Sequence, residues 1–200
     1  MIILNDKESI KKAEEMYCVS GAPIEQDLNL FGIRNSQDVN KGVWNDLICL
    51  YDKRDGKIYL MEGTTEPGRH YTYNPMNKDG ALHMVPGFYP NLWRPLRKRF
   101  RQVGKLWIWR DKNKNFKQDN EEKDYEVGRV FVQLHGINRI LSRIFKASAG
   151  CQVIRIPKEY TFIYDLCKKS GQGLFSYLLM DLKTENKYFY DMVFERSRLE

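Results

Sequence analysis

Polar and apolar positions alternate most clearly over residues 45–63, NDLICLYDKRDGKIYLMEG. The pattern is interrupted at Arg54-Asp55-Gly56, and Asp-Gly tolerates the positive φ angles that a tight turn between antiparallel strands needs. A β-hairpin with strands near 46–52 and 57–62 is therefore predicted. Residues 7–17 change period, placing Ile10, Ala13 and Tyr17 on one side among charges, which predicts a short helix ended by Gly21 and Pro23. From Gly63 to Leu92, Glu66-Pro67-Gly68, Asn74-Pro75, Asp79-Gly80 and Pro86-Gly87 separate short runs such as HYTY and ALHMV, as expected for the short strands of an all-β sandwich or barrel. KLWIWRD reads as a further strand, and after a polar stretch at 111–128 RVFVQLHG reads as another that ends in His135. QVIRI follows as a strand, then a helix PKEYTFIYDLCKKSG with Pro157 in its first turn and Gly171 beyond its end. LFSYLLMDL is expected to be a strand, while the type of KYFYDMVFERSRLE, which pairs or packs with it, is left open by its pattern.

No shift in composition divides the chain, so a single domain over 1–200 is expected, with an N-terminal helical extension over 1–22 and a core over about 28–182. With 42% hydrophobic and 30% charged residues, the chain has the balance of a folded protein. Its formal charge of +7 favours adhesion to polyanions or to an acidic substrate without choosing between them. The densest basic run, Arg94 to Arg101, could track phosphates, and Trp93, Phe100 and Trp107 could stack bases. A solvated strand edge whose charge discourages pairing with another edge accounts for the run better, so nucleic acid is not the expected partner. No apolar stretch approaches the roughly 20 residues that span a bilayer. The N-terminus also lacks the basic-then-apolar order of a secretory signal, so the chain is expected to be cytoplasmic as synthesised and to cross a membrane only by other machinery.

Four cysteines stand at 18, 49, 151 and 167 without zinc-type pairs, so neither a disulfide framework nor a zinc site is indicated, and no cofactor is expected. Cys49, in LICLY, and Cys167, on the helix, read as small core hydrophobes. Asp111, Asn113, Asn115 and Asp119 have the oxygen spacing of a calcium loop but lack the glycine and terminal glutamate of an EF-hand; an exposed polar turn explains them equally well, and no metal is assigned.

Cys151 has different surroundings. It follows Ser148-Ala149-Gly150, and His135 ends the strand sixteen positions before it. Small neighbours let a substrate backbone approach the sulfur, the Gly150 and Cys151 amides could form an oxyanion hole, and an imidazole close by would favour thiolate at neutral pH. A cysteine and a histidine on neighbouring strands can equally be a core pair.

At these residues the sequence resembles the catalytic domain of the L,D-transpeptidase family, whose motif is His-Gly followed by Ser/Thr-His-Gly-Cys and which appears here as His135-Gly136 and Ser148-Ala149-Gly150-Cys151. A divergent bacterial and phage branch is more similar still, sharing SAGCQV together with GIRN, TTEPG, NPMN, PGFY and WRD, which begin here at Gly32, Thr64, Asn74, Pro86 and Trp109. The resemblance implies a mainly β fold, an L,D-transpeptidase-like sandwich or barrel with a few short helices. It also implies acyl transfer on peptidoglycan stem peptides through a thioester on Cys151, with His135 as base and Ser148 orienting the imidazole. Ala149 replaces the family's histidine, Gln152 its arginine or apolar residue, and the gap between His135 and Ser148 is shorter. These departures touch substrate and acceptor rather than nucleophile and base. Gly136, Ala149, Gln152 and His83 are then candidates on the substrate side, Tyr89 and Trp93 candidates for lining a groove, and His70 has no identifiable partner. A noncatalytic wall-binding or phage structural module is the competing expectation.

Overall fold

The Asp-Gly hairpin anchors the architecture of the computed structural model, which describes residues 1–24, 26–36 and 42–194. In chain order the elements are β1 (Ile2–Leu4), α1 (Lys7–Val19), β2 (Leu28–Arg34), β3 (Asp46–Asp52), β4 (Lys57–Thr64), α2 (Arg69–Tyr73), β5 (Ala81–Met84) and β6 (Gly87–Leu96). They continue as β7 (Arg99–Gln102), β8 (Leu106–Asp111), β9 (Tyr125–Val127), β10 (Gln133–Gly136), β11 (Gln152–Ile154), α3 (Pro157–Lys169), β12 (Phe175–Asp181) and α4 (Lys187–Phe194). The hairpin pairs from Asp52↔Lys57 to Asp46↔Gly63. At the start of α1, Asp6 accepts hydrogen bonds from the Ser9 amide at 2.9 Å and the Ser9 hydroxyl at 2.6 Å, capping orphan donors of the first turn.

Eight strands close into a barrel in the order β4-β11-β10-β7-β6-β12-β2-β3, with β3 returning to β4 and β1 added outside β4. The joins β2–β12 and β10–β11 are parallel and the others antiparallel. Side chains fill a barrel of this strand number. Here Leu30, Leu50, Met61, Trp93, Phe100, Leu134, Ile154 and Tyr177 belong to one buried cluster. The alternate residues Phe31, Ile33, Leu47, Leu60 and Leu178 face outward and are covered by Ala13, Met16 and Tyr17 of α1 and Phe189 of α4. Gly32 is needed because a Cβ there would stand 2.2 Å from the Tyr177 hydroxyl, which crosses the interior to Gln152. Helix α3 packs through Tyr160, Ile163, Tyr164 and Cys167 into the inner cluster. A second sheet, β5-β8-β9, meets the barrel where Arg34, the last residue of β2, donates to the Met84 carbonyl at 2.8 Å. Among the described residues no helix is long and apolar enough to cross a membrane.

Three local expectations change, and one that the pattern left open is decided. HYTY lies in α2, where only Thr72 is buried, so the run has no alternating buried face to fix it in a sheet. The strand in RVFVQLHG is confined to 133–136, since Phe131 sits at φ +64, outside the β region. KYFYDMVF forms α4, while 195–200 lie outside the described residues. The basic run is a hairpin and not an edge: Arg97 and Lys98 take φ +51 and +58 in a two-residue turn, β6 is also paired with β12, and β7 with β10. Trp93 and Phe100 point into the barrel at 0% exposure and cannot stack bases; of the three aromatics only Trp107 is exposed.

Candidate active site

The parallel join between β10 and β11 decides the site. Its register sets Leu134 beside Gln152 and His135 beside Val153. Leu134 and Ile154 belong to the inner cluster, so His135 and Val153 face outward, and one residue earlier Cys151 stands beside Gln133 on that same outer side. With strands about 4.8 Å apart and a rise of about 3.3 Å per residue, the α-carbons of His135 and Cys151 are diagonal neighbours about 8 Å apart. At that separation the two side chains share a face, and no hydrogen bond joins the imidazole to the thiol among the described residues.

The Ser148–Cys151 turn is held tightly. The Ser148 hydroxyl donates to the Cys151 carbonyl at 2.8 Å and accepts from the Gly150 amide at 3.1 Å, while the Ser148 carbonyl accepts from the Gly68 amide at 2.9 Å. Gly150 is at φ +116, and a Cβ there would be 2.7 Å from the Leu82 carbonyl, so both the backbone and the space require glycine. Of the two expected oxyanion donors, the Gly150 amide is thus engaged within the turn. Ser148 shapes the turn rather than the ring, because the His135 Nδ1 lies 2.8 Å from the Gly136 carbonyl. A carbonyl only accepts, so in the neutral imidazole the proton is on Nδ1 and Nε2 keeps the basic lone pair.

Burial holds His135 below the usual histidine range, with the nearby Arg99 guanidinium acting in the same direction and the Gly136 carbonyl against it. Burial also pushes the Cys151 thiol up, and the Gln133 main-chain amide and Arg99 pull it partly back. The resting pair is therefore a neutral thiol and a neutral imidazole, not the preformed thiolate that its position suggested.

Cys151, Gly150 and Ala149 line a pocket of about 290 Å³ whose other walls include Leu82, Val132 and Tyr71. Gln133 and Arg99 are neighbours of the thiol that nothing in the sequence marks. Arg99 crosses from β7 to donate through Nη1 to Gln133 Oε1 at 2.9 Å, and only the β7–β10–β11 register reveals this.

Several expected substrate contacts lie elsewhere. Gln152 is buried inside the barrel, donating to the Thr65 carbonyl at 3.3 Å and accepting from the Tyr177 hydroxyl at 3.0 Å. Trp93 is fully buried, and Tyr89 is a core residue whose hydroxyl donates to the Val85 carbonyl, so neither lines a groove. Gly136 makes room for a helix, since a Cβ would come within 2.7 Å of the Tyr160 ring. His83 lies flat against Trp109, with ring centroids 4.0 Å apart, and its Nδ1 is 3.6 Å from Glu66 Oε1. Glu66 Oε1 is also 3.6 Å from Arg34 Nε, and close by Asp46 accepts from the Thr65 amide and hydroxyl at 2.7 and 2.8 Å. Burial, and after it the Glu66 charge, push Asp46 up to about 6. His70 stacks edge-on with Tyr71, and the Asp111 carboxylate accepts from the Asn115 and Phe116 amides at 3.1 and 2.9 Å, closing its own loop.

Comparison of the chain with protein-family models, with curated proteins and with solved structures finds no match.

Proposed function

We propose that this protein is a cysteine acyl transferase of the L,D-transpeptidase kind, acting on peptidoglycan stem peptides. The observation that carries the reading is the parallel β10–β11 register, which puts His135 and Cys151 on one outer face beside a pocket lined by Ala149 and Gly150. His135 Nε2 takes the thiol proton while the sulfur forms a bond to a peptide carbonyl carbon. Collapse of the tetrahedral adduct breaks the C–N bond, the leaving amine takes the proton from the imidazolium, and the acyl group stays on sulfur as a thioester. An amine acceptor then makes the reaction a transpeptidation; water makes it an L,D-carboxypeptidase or endopeptidase reaction.

Incubation with purified muropeptides followed by mass spectrometry tests this. Loss of a terminal residue, a new cross-link or a cleaved stem, each absent with Cys151→Ser, is the expected result; unchanged muropeptides overturn the proposal. A noncatalytic wall-binding or phage structural module is the second reading, favoured by the raised thiol pKa of Cys151. Binding of wall fragments without turnover would support it.

A further inference from the structure

The outer barrel face that carries His135 and Cys151 continues across two more strands. On β7 Arg101 is registered with Gln133, and on β6 Arg94 is registered with Arg101, so Arg94, Arg101 and Gln133 form one row across the sheet, and continuing the β10–β11 register by one residue brings Cys151 to its end. One step along the same face, the register continues to bring Arg99 opposite His135. Arg99 is exposed and reaches back over β10 to the Gln133 side chain. The Arg101 Nε is buried without a hydrogen-bond partner. Neither Arg99 nor Arg101 has an acidic partner among the described residues. Two guanidinium side chains without an acidic partner, one with an orphaned buried Nε, thus belong to the outer face of the strand next to β10. A charged donor left unpaired is costly, so an acceptor that reached the guanidinium would be bound by it.

We propose that Arg99 and Arg101 bind the free carboxylate of a peptide whose penultimate carbonyl is attacked by Cys151, so that the site removes or exchanges a C-terminal residue rather than cutting within a chain. The inference rests on the acyl-transfer reading. A planar guanidinium fork matches a carboxylate, and a terminal carboxylate lies one residue, at most about 3.8 Å, beyond the carbonyl carbon that the sulfur attacks. Gln133 is about one strand spacing, near 4.8 Å, from Cys151, and the Arg99 guanidinium already lies against its side chain, so the two separations are compatible. Holding that carboxylate fixes which carbonyl meets the sulfur. The residue released carries away both the carboxylate and the amine that received the proton, which vacates the two arginines for the next peptide.

Iodoacetate and iodoacetamide test the clamp without requiring turnover. In both reactions the sulfur bonds to the methylene carbon, iodide leaves with the bonding electron pair, and the thiol proton passes to His135 or solvent. The reagents differ in that one carries a carboxylate and the other a neutral amide, so the degree of thiol ionisation cancels in their rate ratio. The exposed Cys18 supplies the reference ratio. For Cys151 the iodoacetate-to-iodoacetamide ratio is expected to exceed that of Cys18 by about tenfold, as charge-assisted hydrogen bonds require. Arg99→Gln, an exposed substitution, should bring the ratio close to that of Cys18; Arg99→Lys should retain part of it, and Arg101→Gln should lower it as well. Equal ratios for Cys151 and Cys18 in the unaltered protein overturn the clamp. A raised ratio in a protein that leaves muropeptides unchanged sinks acyl transfer but leaves the carboxylate site standing. Turnover of stem peptides at equal rates with a free or an amidated C-terminus does the reverse.

Discussion

Replacing His135 by alanine removes the Nε2 lone pair but none of the groups that hold the Ser148–Cys151 turn, because Ser148 bonds within the turn and to Gly68. The magnitude follows from the two pKa directions. Cys151 is raised by burial above its ordinary 9.0, so at pH 7 less than about 1% of it is thiolate. His135 is lowered below 6.5, so at pH 7 most of it is the neutral base. Reaction of Cys151 near neutrality should therefore depend on proton transfer to His135, which is worth about 10²-fold or more when base and acid are in place. Alkylation by iodoacetamide, followed by peptide mass spectrometry from pH 5 to 10, is the assay. In the unaltered protein the rate should hold near neutrality and fall only as pH drops through the depressed histidine pKa, where the base becomes protonated. In His135→Ala it should be about 10²-fold slower at pH 7, rise about tenfold per pH unit, and meet the unaltered curve above pH 9, once hydroxide forms the thiolate directly. Superimposable curves would show that the two side chains do not cooperate, and the noncatalytic reading would then be the better one.

Cys151→Ser should abolish muropeptide turnover while leaving the circular dichroism spectrum unchanged, since a hydroxyl at this position lacks an environment tuned to ionise it; substantial residual activity would remove Cys151 from the mechanism. Gly150→Ala should lower stability by about 1–3 kcal/mol in a denaturant titration, because it places a Cβ at φ +116 against the Leu82 carbonyl, and a neutral effect would mean that the turn relaxes freely. The folded-state pKa of Asp46, about 6, exceeds its reference value of 3.8, so its protonated form contributes stability that is fully present below about pH 3.8 and lost as pH rises through about 6. The melting temperature should therefore fall more between pH 5 and 7 than it does in Asp46→Asn, and equal pH slopes would show that this carboxyl is not the one titrating.

What could be read from the chain was whatever depends on neighbouring positions. The hairpin around Arg54-Asp55-Gly56 and the helix from Pro157 are set by alternation, turn chemistry and a Pro-to-Gly span, all local signals, and both formed near their expected bounds. Cys49 and Cys167 are buried, as their apolar contexts implied. The small-residue collar marks Cys151, and His135 lies one residue before the end of the strand beside it. Which side of a strand faces inward was not legible. Trp93, Tyr89 and Gln152 are candidates for a ligand or for the core until the barrel closes, and closure depends on pairings as distant as Leu30 with Tyr177. Arg99 and Gln133 carry no local mark of their place either, since they reach Cys151 only through the ladder that aligns Leu134 with Gln152. The strand in RVFVQLHG was overextended for a different reason, because composition does not reveal that Phe131 takes a positive φ.

The position of β12 has a consequence for the order of events during synthesis. This strand lies between β2 and β6, although it follows β2 by most of the length of the chain and β6 by less than half of it. Until residues 175–181 leave the ribosome, β2 and β6 each present an unpaired margin, and the hoop that holds β10 against β11 is a bent ribbon with two open ends. Pairings so remote in the chain are slow to form, and exposed margins invite pairing with other nascent chains. A chain that stops before Phe175 should accumulate as an assembling, sticky species, and Cys151 should acquire its buried environment only after the last strand is inserted.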